Sequence, residues 1–600
     1  MFKKSLLFVS LLAVNAFAVQ EIQVDVIDQN FNSSNKIVID QDQIRKSHAT
    51  NLPQLLSSQA NISVASTSFQ PNSIYIRGGD SSHVLILVDG VPTYDPSTVQ
   101  RTINLGNLNL KNIKKIEILK GSQSVIYGGQ ALSGVIKIET FSGQFEDKTE
   151  MGLQVGPHYG EFQVGRLQNL NQNWKSSLNV KALDQQADSP VLNSTKTYPQ
   201  KVATVDGAIA YLNPDKNTEF ITRINYSDDK NEIATTNFAT FKAADTDAFE
   251  ARTKTYGVNF VFRNKDLYQF SVSDQWTQRL FLQSAVDAGG TATDQDYKGN
   301  LIATRLDGRI YQNEFLSVLS GLSFTNESMK YVDSFVVKSD DVNQYEGIYL
   351  KTDFKLPADF LFEVGARLET SKGKKIDQTY QAGVSWKDHV KLEYATGFKT
   401  PSLFQLYSSY GNTALQPEKA KNTTLSFENK FANNILGSIT FFDAQFENLI
   451  VIKGSPQKYE NVSATRTQGV ELYTSYDNPE QQYRTALSLG YQEPKDLSLD
   501  NWLVRRPLRT ASLRLSKKVY DQFNLATEIN HTGDRRDRGA AGGYVTLEEY
   551  TLVNLIAELN VNPQLSYFTR IENLQNKTYQ TAYGFYNQGV NIKFGLEAQF

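Results

Sequence analysis

The feature that most constrains the fold is an alternation of apolar and polar residues from about Thr149 to the C-terminal residue, Phe600. It comes in segments of roughly ten residues, the length and period of transmembrane β-strands. The final segment shows one apolar face, which consists of Val590, Ile592, Phe594, Leu596, Ala598 and Phe600. A soluble antiparallel sheet also alternates. However, this pattern repeats along most of the chain, which favours a membrane barrel.

The connections between these segments predict the number of strands. Ten short, turn-like connections, such as Asn213–Asn217 and Trp386–His389, alternate with eleven mostly longer, polar or Gly-rich ones. Together they make 21 connections and therefore predict 22 antiparallel strands. Barrels of about this size in the outer membrane have a plugged lumen. Short turns face the periplasm and long loops face outwards.

Composition and the N-terminus indicate an exported protein. Lys3 and Lys4, the apolar run Leu6–Val14 and the small-x-small sequence Ala16-Phe17-Ala18 predict a signal peptide over residues 1–18. There are no cysteines, which excludes disulfides and thiolate metal sites. The net charge of −3 argues against a nucleic-acid partner.

Between these two regions lies a Gly-rich stretch, Ile74 to Glu139, with a different pattern. Three short apolar runs, Val84–Val88, Ile116–Leu119 and Val135–Ile138, are each bounded by Gly, Asp or Ser. Such runs predict short strands joined by tight turns. We therefore expect a compact α+β domain before the barrel, with a short helix at Leu52, Leu55 and Leu56.

Four blocks in this stretch occur in a recognisable order: Ile76-Arg77-Gly78, Val88-Asp89-Gly90-Val91-Pro92, Ile116-Glu117-Ile118-Leu119-Lys120-Gly121 and Ala131-Leu132-Ser133-Gly134-Val135-Ile136. With these blocks the stretch resembles the plug domain of TonB-dependent outer-membrane receptors. Lys120 and Ser122 stand where arginine and proline are usual in the family. In the barrel, Thr396–Leu403, Leu415–Lys419 and Arg466–Glu471 also match the family. Ser82-His83-Val84-Leu85, and Asn573-Leu574 with Lys577–Phe585, look most like the vitamin B12 (cobalamin) receptor branch.

The resemblance implies a division of the chain and a partner. Residues 1–18 form the signal peptide, 19–35 a Ton box and linker, 36–145 the plug domain, and 149–600 the transmembrane β-barrel. The Ton box consists of Glu21, Ile22, Gln23, Val24, Asp25 and Val26. Its alternating pattern suits a strand that adds to the sheet edge of a partner. By resemblance that partner is TonB of the inner-membrane energising complex.

The cargo site is expected on two outward loops of the plug. By resemblance these are Ser66–Asn72 and Pro92–Arg101, and the candidate contacts are Phe69, Gln70, Asn72, Tyr94, Asp95 and Ser97. The alternative is that these are solvated loops that cap the plug. Cobalamin receptors hold calcium in early outer loops, where this chain has Asp184, Asp188, Asp228, Asp229, Asp245 and Asp247. Carboxylates are suitable calcium ligands, although solvated acidic loops would show the same residues.

Histidines and arginines leave other cargoes open. His83 leads into a predicted buried strand and is interpreted as structural, whereas His158 and His531 fall in predicted outer connections and could serve as haem ligands. Outer-loop arginines could attract an anionic ferric siderophore or lipopolysaccharide phosphates, or could be solvated: Arg505, Arg506, Arg535, Arg536 and Arg538.

The sequence therefore predicts a receptor rather than an enzyme. Gly121–Gly134 lacks the ending of a phosphate loop, and no HExxH or Gly-x-Ser-x-Gly motif occurs. The expected function is TonB-dependent uptake of a large nutrient, cobalamin first, with a ferric siderophore or haem as the alternative. A passive channel or adhesin is a further alternative, which the plug pattern disfavours. We expect a monomer in outer-membrane lipid, without a resident cofactor apart from calcium in the outer loops.

Overall fold

The protein folds into a closed β-barrel whose lumen contains a separate small domain. A computed structural model describes residues 36–59, 61–67, 70–140, 147–237, 239–246, 249–264, 267–283, 292–333, 336–371, 376–387, 389–432, 434–540, 543–587 and 589–600. The predicted signal peptide and Ton box, Glu21–Val26 included, lie outside these residues. No helix in the described parts of the chain is long and apolar enough to span a membrane.

The plug domain contains seven strands and three short helices. They are β1 (Lys36–Asp40), α1 (Gln41–Ser47), α2 (Leu52–Leu56), β2 (Ile62–Thr67), β3 (Gln70–Ile76), β4 (Val84–Val88), β5 (Val91–Pro92), β6 (Lys115–Lys120), α3 (Ser124–Tyr127) and β7 (Gly134–Glu139). Single 3₁₀ turns lie at Ser81–His83, Leu105–Asn107 and Leu110–Asn112. The three apolar runs of the sequence form β4, β6 and β7, and the predicted short helix is α2.

The plug is organised by one mixed sheet. Its strand order is β1-β6-β7-β4-β5, with β4 and β7 parallel and the other pairs antiparallel. Its apolar core joins the sheet to α1 and α2, so that Ile116, Ile118 and Ile136 are fully buried against Leu52 and Leu56. The hairpin β2–β3 pairs separately and extends from this core.

The barrel begins at β8 and closes where the final strand pairs with β8. Its strands and outer hairpins are β8 (Lys148–Gly156), β9 (Tyr159–Asn169), β10 (Trp174–Asp188), β11 (Thr197–Asn213), β12 (Thr218–Glu232), β13 (Thr235–Asn237), β14 (Lys242–Ala244), β15 (Glu250–Asn264), β16 (Tyr268–Gln283), β17 (Thr293–Gln312), β18 (Leu316–Asp333), β19 (Val336–Leu356), β20 (Phe360–Ser371), β21 (Ile376–Trp386), β22 (Val390–Lys399), β23 (Glu418–Ala432), β24 (Ile435–Lys453), β25 (Lys458–Asn478), β26 (Tyr483–Asp496), β27 (Asn501–Trp502), β28 (Arg509–Tyr520), β29 (Phe523–Thr532), β30 (Arg535–Arg538), β31 (Tyr544–Leu547), β32 (Tyr550–Asn562), β33 (Leu565–Glu572), β34 (Tyr579–Ala582), β35 (Phe585–Asn587) and β36 (Asn591–Gln599). A fourth helix, α4 (Leu403–Tyr407), lies in the loop after β22, and 3₁₀ turns lie at Pro214–Lys216 and Pro357–Asp359.

The barrel confirms the predicted 22 antiparallel strands. Strand β27 is a two-residue extension beside β26, which pairs directly with β28, and the hairpins β13–β14, β30–β31 and β34–β35 stand outside the barrel sheet. The predicted short turns all connect strands at one end. The alternation is also confirmed: in β36, Phe594 is exposed outwards, whereas Lys593 is buried in the lumen.

A glycine marks how closely plug and barrel approach. Gly78 has a φ of +75°, which L side chains rarely adopt, and a Cβ there would overlap the side chain of Thr467 on β25. The plug backbone therefore packs directly against the barrel wall at this position.

Candidate functional site

The candidate site is a cavity between the plug and the outer half of the barrel, here called the outer cavity. Its volume is about 410 Å³, and it lies between the plug segment 93–108 and strands β9–β12, β15 and β16. The strand residues that line it, such as Gln185 on β10 and Asn231 on β12, lie near the outer ends of their strands. Its volume falls in the range of small-molecule sites, about 300–1,000 Å³.

The plug side of the outer cavity is held in place by the barrel. After β5 the chain leaves the sheet, and Asp95 accepts hydrogen bonds from the backbone N–H and hydroxyl of Ser97 at 2.8 and 2.7 Å. Arg279 on β16 donates to the other oxygen of Asp95 at 2.8 Å. The hydroxyl of Tyr94 donates to Glu327 at 2.7 Å. Burial and this carboxylate raise the pKa of the Tyr94 phenol well above its usual value, so the phenol stays a donor.

The lining is polar, and most of its charges are paired. Lys181 lies 3.1 Å from Glu161, and Arg279 pairs with Asp95. The carboxylate of Asp229 instead accepts hydrogen bonds from Asn104 at 2.9 Å and Gln200 at 3.0 Å. Of the charged residues lining the outer cavity, only the Asp229 carboxylate is balanced by amides rather than by a cation. The outer cavity therefore offers many neutral donors and acceptors and a slight excess of negative charge.

An aromatic wall stands beside the outer cavity. Tyr297 on β17 stacks on Tyr331 on β18, with ring centroids 4.4 Å apart, and Phe281 on β16 meets Tyr297 edge-on. The Arg279 guanidinium lies 4.9 Å from the centre of the Tyr297 ring. This wall gives Arg279 a second contact and fixes it at the edge of the cavity.

The predicted ligand contacts fall into two groups. Tyr94, Asp95 and Ser97 are buried and bonded within the plug or to the barrel. Of these three, Asp95 lines the outer cavity. Gln70 and Asn72 belong to β3, and Phe69 lies outside the described residues. The role of all six in binding cargo stays a prediction. Gln200 and Asn104, which line the outer cavity, carried no local signal that would have selected them, and Asp229 was selected only as a calcium ligand.

The predicted calcium ligands are dispersed, and several are already bonded. Asp184 and Asp188 belong to β10, and Asp228 and Asp229 to β12, rather than to loops. Each of these strands has 15 residues, more than the roughly 9–11 that span a bilayer. Asp184 pairs with Lys201 at 3.4 Å, and Asp228 accepts two hydrogen bonds from Arg252.

Asp245 does lie in an outer loop. It accepts hydrogen bonds from Ser189, Ser194 and Tyr198. Burial would raise the pKa of Asp245, but these hydroxyl donors outweigh it and hold that pKa below its usual value. Asp247 lies outside the described residues, among which no three acidic or histidine side chains form a metal-sized group. Calcium binding stays a prediction.

The outer-loop arginines are less solvated than the sequence suggested. Arg506 is buried and donates to Gly78, Gly79 and Asp80 of the plug, and Arg505 pairs with Asp537. Arg535 is also buried, and its guanidinium lies over the ring of Tyr550. Arg536 donates to Thr546, and Arg538 is the exposed last residue of β30. Three of the five thus fasten the outer loops to the plug or to each other, through partners that are distant in sequence.

The three histidines His83, His158 and His531 occupy different environments. His83 is buried, accepts from the backbone N–H of Asp80 at 3.0 Å and lies 3.1 Å from Glu418, which confirms its structural role. His158 is exposed at the tip of the β8–β9 turn. His531 lies in β29, not in a loop, and its ring contacts Thr551.

Buried ion pairs anchor the plug to the barrel. Glu471 on β25 accepts from Arg77 at 2.8 Å and lies 3.3 Å from Lys120. Glu327 on β18 accepts from Arg101 at 2.9 Å. Burial and the nearby Arg77 lower the pKa of the Lys120 ammonium to about 8, although Glu471 opposes this shift. Further ion pairs join the plug to β12 and β16, so the plug is fixed to strands on several sides of the barrel.

Comparison with known proteins identifies the family of this chain. The profile of the family "TonB dependent receptor-like, beta-barrel" matches residues 158–574, and that of the "TonB-dependent Receptor Plug Domain" matches residues 28–135. The chain belongs to the TonB-dependent receptors, a family of transporters in the outer membrane of Gram-negative bacteria.

Solved structures of the same fold are named for different cargoes. The siderophore receptor PirA from Acinetobacter baumannii superimposes with a TM-score of 0.82 at 15% identity, covering 95% of this chain and 98% of that chain. A mutant of the ferric enterobactin receptor PfeA from Pseudomonas aeruginosa gives 0.80 at 14% identity, covering 95% and 98%. The copper transporter OprC gives 0.80 at 15% identity, covering 95% and 99%.

Proposed function

We propose that this receptor takes up a ferric siderophore or similar metal chelate of low net charge, and that the outer cavity receives it. The observation that carries the proposal is a polar cavity of about 410 Å³ between the plug and the outer half of a plugged barrel. In this scheme, cargo in the cavity contacts the plug and the barrel wall together. TonB then binds the predicted Ton box, Glu21–Val26, and the inner-membrane proton gradient drives the rearrangement of the plug.

The charge of the outer cavity supports a neutral or cationic chelate. Its two cations, Lys181 and Arg279, are already paired with Glu161 and Asp95, and Asp229 adds one carboxylate. A polyanionic chelate would meet this carboxylate without a free cation to offset it. Neutral amide and hydroxyl groups instead suit a chelate with uncharged oxygen donors.

Cobalamin is the second candidate, and a sequence observation favours it. Ser82–Leu85 in the plug, and Asn573-Leu574 with Lys577–Phe585 near the C-terminus, resemble the cobalamin receptor branch. The named structural neighbours are siderophore and copper receptors, so the first test compares the two cargo classes directly.

The test is titration calorimetry with the purified, detergent-solubilised protein and a pair of variants in β15. Thr253→Trp fills the outer cavity, because Thr253 lines it. Lys254→Trp is the matched control, since successive side chains of a strand point to opposite faces. The probes are a neutral ferric trihydroxamate and cyanocobalamin, each with and without calcium.

The proposal predicts that the trihydroxamate binds to wild type and to Lys254→Trp, and that Thr253→Trp abolishes this binding. Binding of cyanocobalamin with the same pattern would instead assign the second candidate, and weaker binding after chelation would support the calcium site. Equal binding of either probe to both variants would place the cargo outside the outer cavity and overturn the proposal.

A further inference from the structure

A second cavity lies on the periplasmic side of the plug, directly below the outer cavity. This inner cavity has a volume of about 450 Å³ and is lined by α1, the plug segment 109–111 and strands β8–β10, β32, β33 and β36. Residues of a periplasmic turn, Asn562 and Pro563, line its lower end. Each of the two cavities is large enough for part of a small-molecule cargo.

The two cavities meet at three residues. Thr50 of the plug, Glu161 on β9 and Lys181 on β10 line both. Glu161 and Lys181 are 5% and 3% exposed, and their charged atoms lie 3.1 Å apart. The hydroxyl of Tyr159 also donates to Glu161 at 2.9 Å. The two cavities therefore adjoin at a buried ion pair between neighbouring barrel strands, with Thr50 on the plug side.

We propose that cargo crosses the barrel along this seam, between the plug and strands β9 and β10, and that the Glu161–Lys181 pair closes the seam at rest. The proposal rests on the proposed transport function and adds a route to it. Its basis is that two cavities on one side of the plug adjoin at this buried ion pair.

A buried ion pair is a suitable closure for such a route. Holding two charges away from water carries a desolvation penalty that can exceed their attraction. Water that enters the seam relieves this penalty, so opening costs less than separating an apolar contact of the same size. The same groups can then solvate a polar cargo as it passes.

The N-terminal elements of the plug border this seam. Helix α1, which directly follows β1, lines the inner cavity. A pull transmitted through β1 from the N-terminal side of the plug therefore reaches α1, which forms one wall of the inner cavity.

A neighbouring route is less suitable. There a periplasmic cavity of about 1,000 Å³, which adjoins the inner cavity at Arg45, Asn562 and Pro563, reaches a small outer one. The residues that line both of these are Ser58, Gln59 and Ser512. The outer one has a volume of only about 40 Å³, little more than the share of one water molecule in the liquid, about 30 Å³. It offers no space for cargo at its outer end.

The test measures ion conductance of the purified full-length protein in a planar lipid bilayer in potassium chloride, without cargo or TonB. Glu161→Ala with Lys181→Ala joins the two cavities, and a several-fold rise in conductance over wild type is expected. The control is Lys351→Ala with Glu363→Ala, which removes a lumenal pair of 2.8 Å that lines neither cavity. This control should stay at the wild-type level.

Two further variants keep the test decisive. Exchange of the two residues, Glu161→Lys with Lys181→Glu, restores the pair and should keep the barrel closed. If the double alanine variant does not fold, Glu161→Gln with Lys181→Met keeps the bulk without the attraction and should give frequent brief openings. No rise above wild type, or an equal rise in the control, would overturn the proposal, and neither result would alter the calorimetric test of cargo binding.

Discussion

The strongest energetic prediction concerns Glu471, the barrel carboxylate that anchors the plug. Glu471 is fully buried. Its carboxylate pairs with Arg77 and Lys120 and accepts a hydrogen bond from Asn61. The substitution Glu471→Gln keeps the shape but leaves two buried cations without their counter-charge. Removal of one member of a buried ion pair costs about 3–5 kcal/mol. This cost should fall on the interface between plug and barrel.

The assay is differential scanning calorimetry of the detergent-solubilised protein, in which the transition of the plug is followed. A loss of 1 kcal/mol lowers the midpoint of a domain of this size by about 4–8 °C, so Glu471→Gln should lower it by roughly 10 °C or more. The matched control is Glu447→Gln, because the Lys421–Glu447 pair is equally close at 2.7 Å but about half exposed. An exposed pair contributes about 0–1 kcal/mol.

A second substitution tests the reason for the effect. Lys120→Met in the Glu471→Gln background removes one of the two uncompensated cations and should recover part of the lost stability. Such coupling is expected for groups in direct contact. A Glu471→Gln midpoint equal to that of Glu447→Gln would refute the reasoning, as would strict additivity with Lys120→Met.

Two further predictions concern the plug sheet and the lipid face. Burial would raise the pKa of Glu117, but Lys137 and two other lysines lower it from 4.5 to about 2. Because the folded pKa is depressed, the stabilisation is present above about pH 4.5 and is lost as the pH falls towards 2; it amounts to about 2 kcal/mol after allowance for solvent screening. Calorimetry at stepped pH should show a shallower acid loss for Glu117→Gln, and identical slopes would contradict this. Ile224, mid-strand in β12 and 55% exposed, faces lipid. Ile224→Arg should cost about 2–4 kcal/mol in refolding equilibria in lipid vesicles, and no loss would place Ile224 away from the bilayer core.

Much of the fold could be predicted because it depends on local patterns. The period-two alternation and the short turns predict the strand number, since each signal lies within about ten residues. The apolar runs of the plug coincide with β4, β6 and β7 for the same reason. Strand ends were less predictable: Asp184 and Asp228 belong to strands that extend beyond the bilayer.

The site could not be predicted because it is made by contacts between distant residues. Asp95 meets Arg279, 184 positions later, and Asn104 meets Asp229, 125 positions later. Arg506 is buried for a similar reason, since its partner Asp80 belongs to the plug. A single sequence shows the residue types but not which plug residue faces which strand.

The most direct test of the central claim is energy-dependent uptake by cells. Cells that carry wild type or a deletion of Glu21–Val26 are given a radiolabelled neutral ferric trihydroxamate or radiolabelled cyanocobalamin. The account predicts that wild type binds and accumulates one of them, and that the deletion variant binds it equally but does not accumulate it. Accumulation that survives the deletion would contradict TonB-driven transport through this segment.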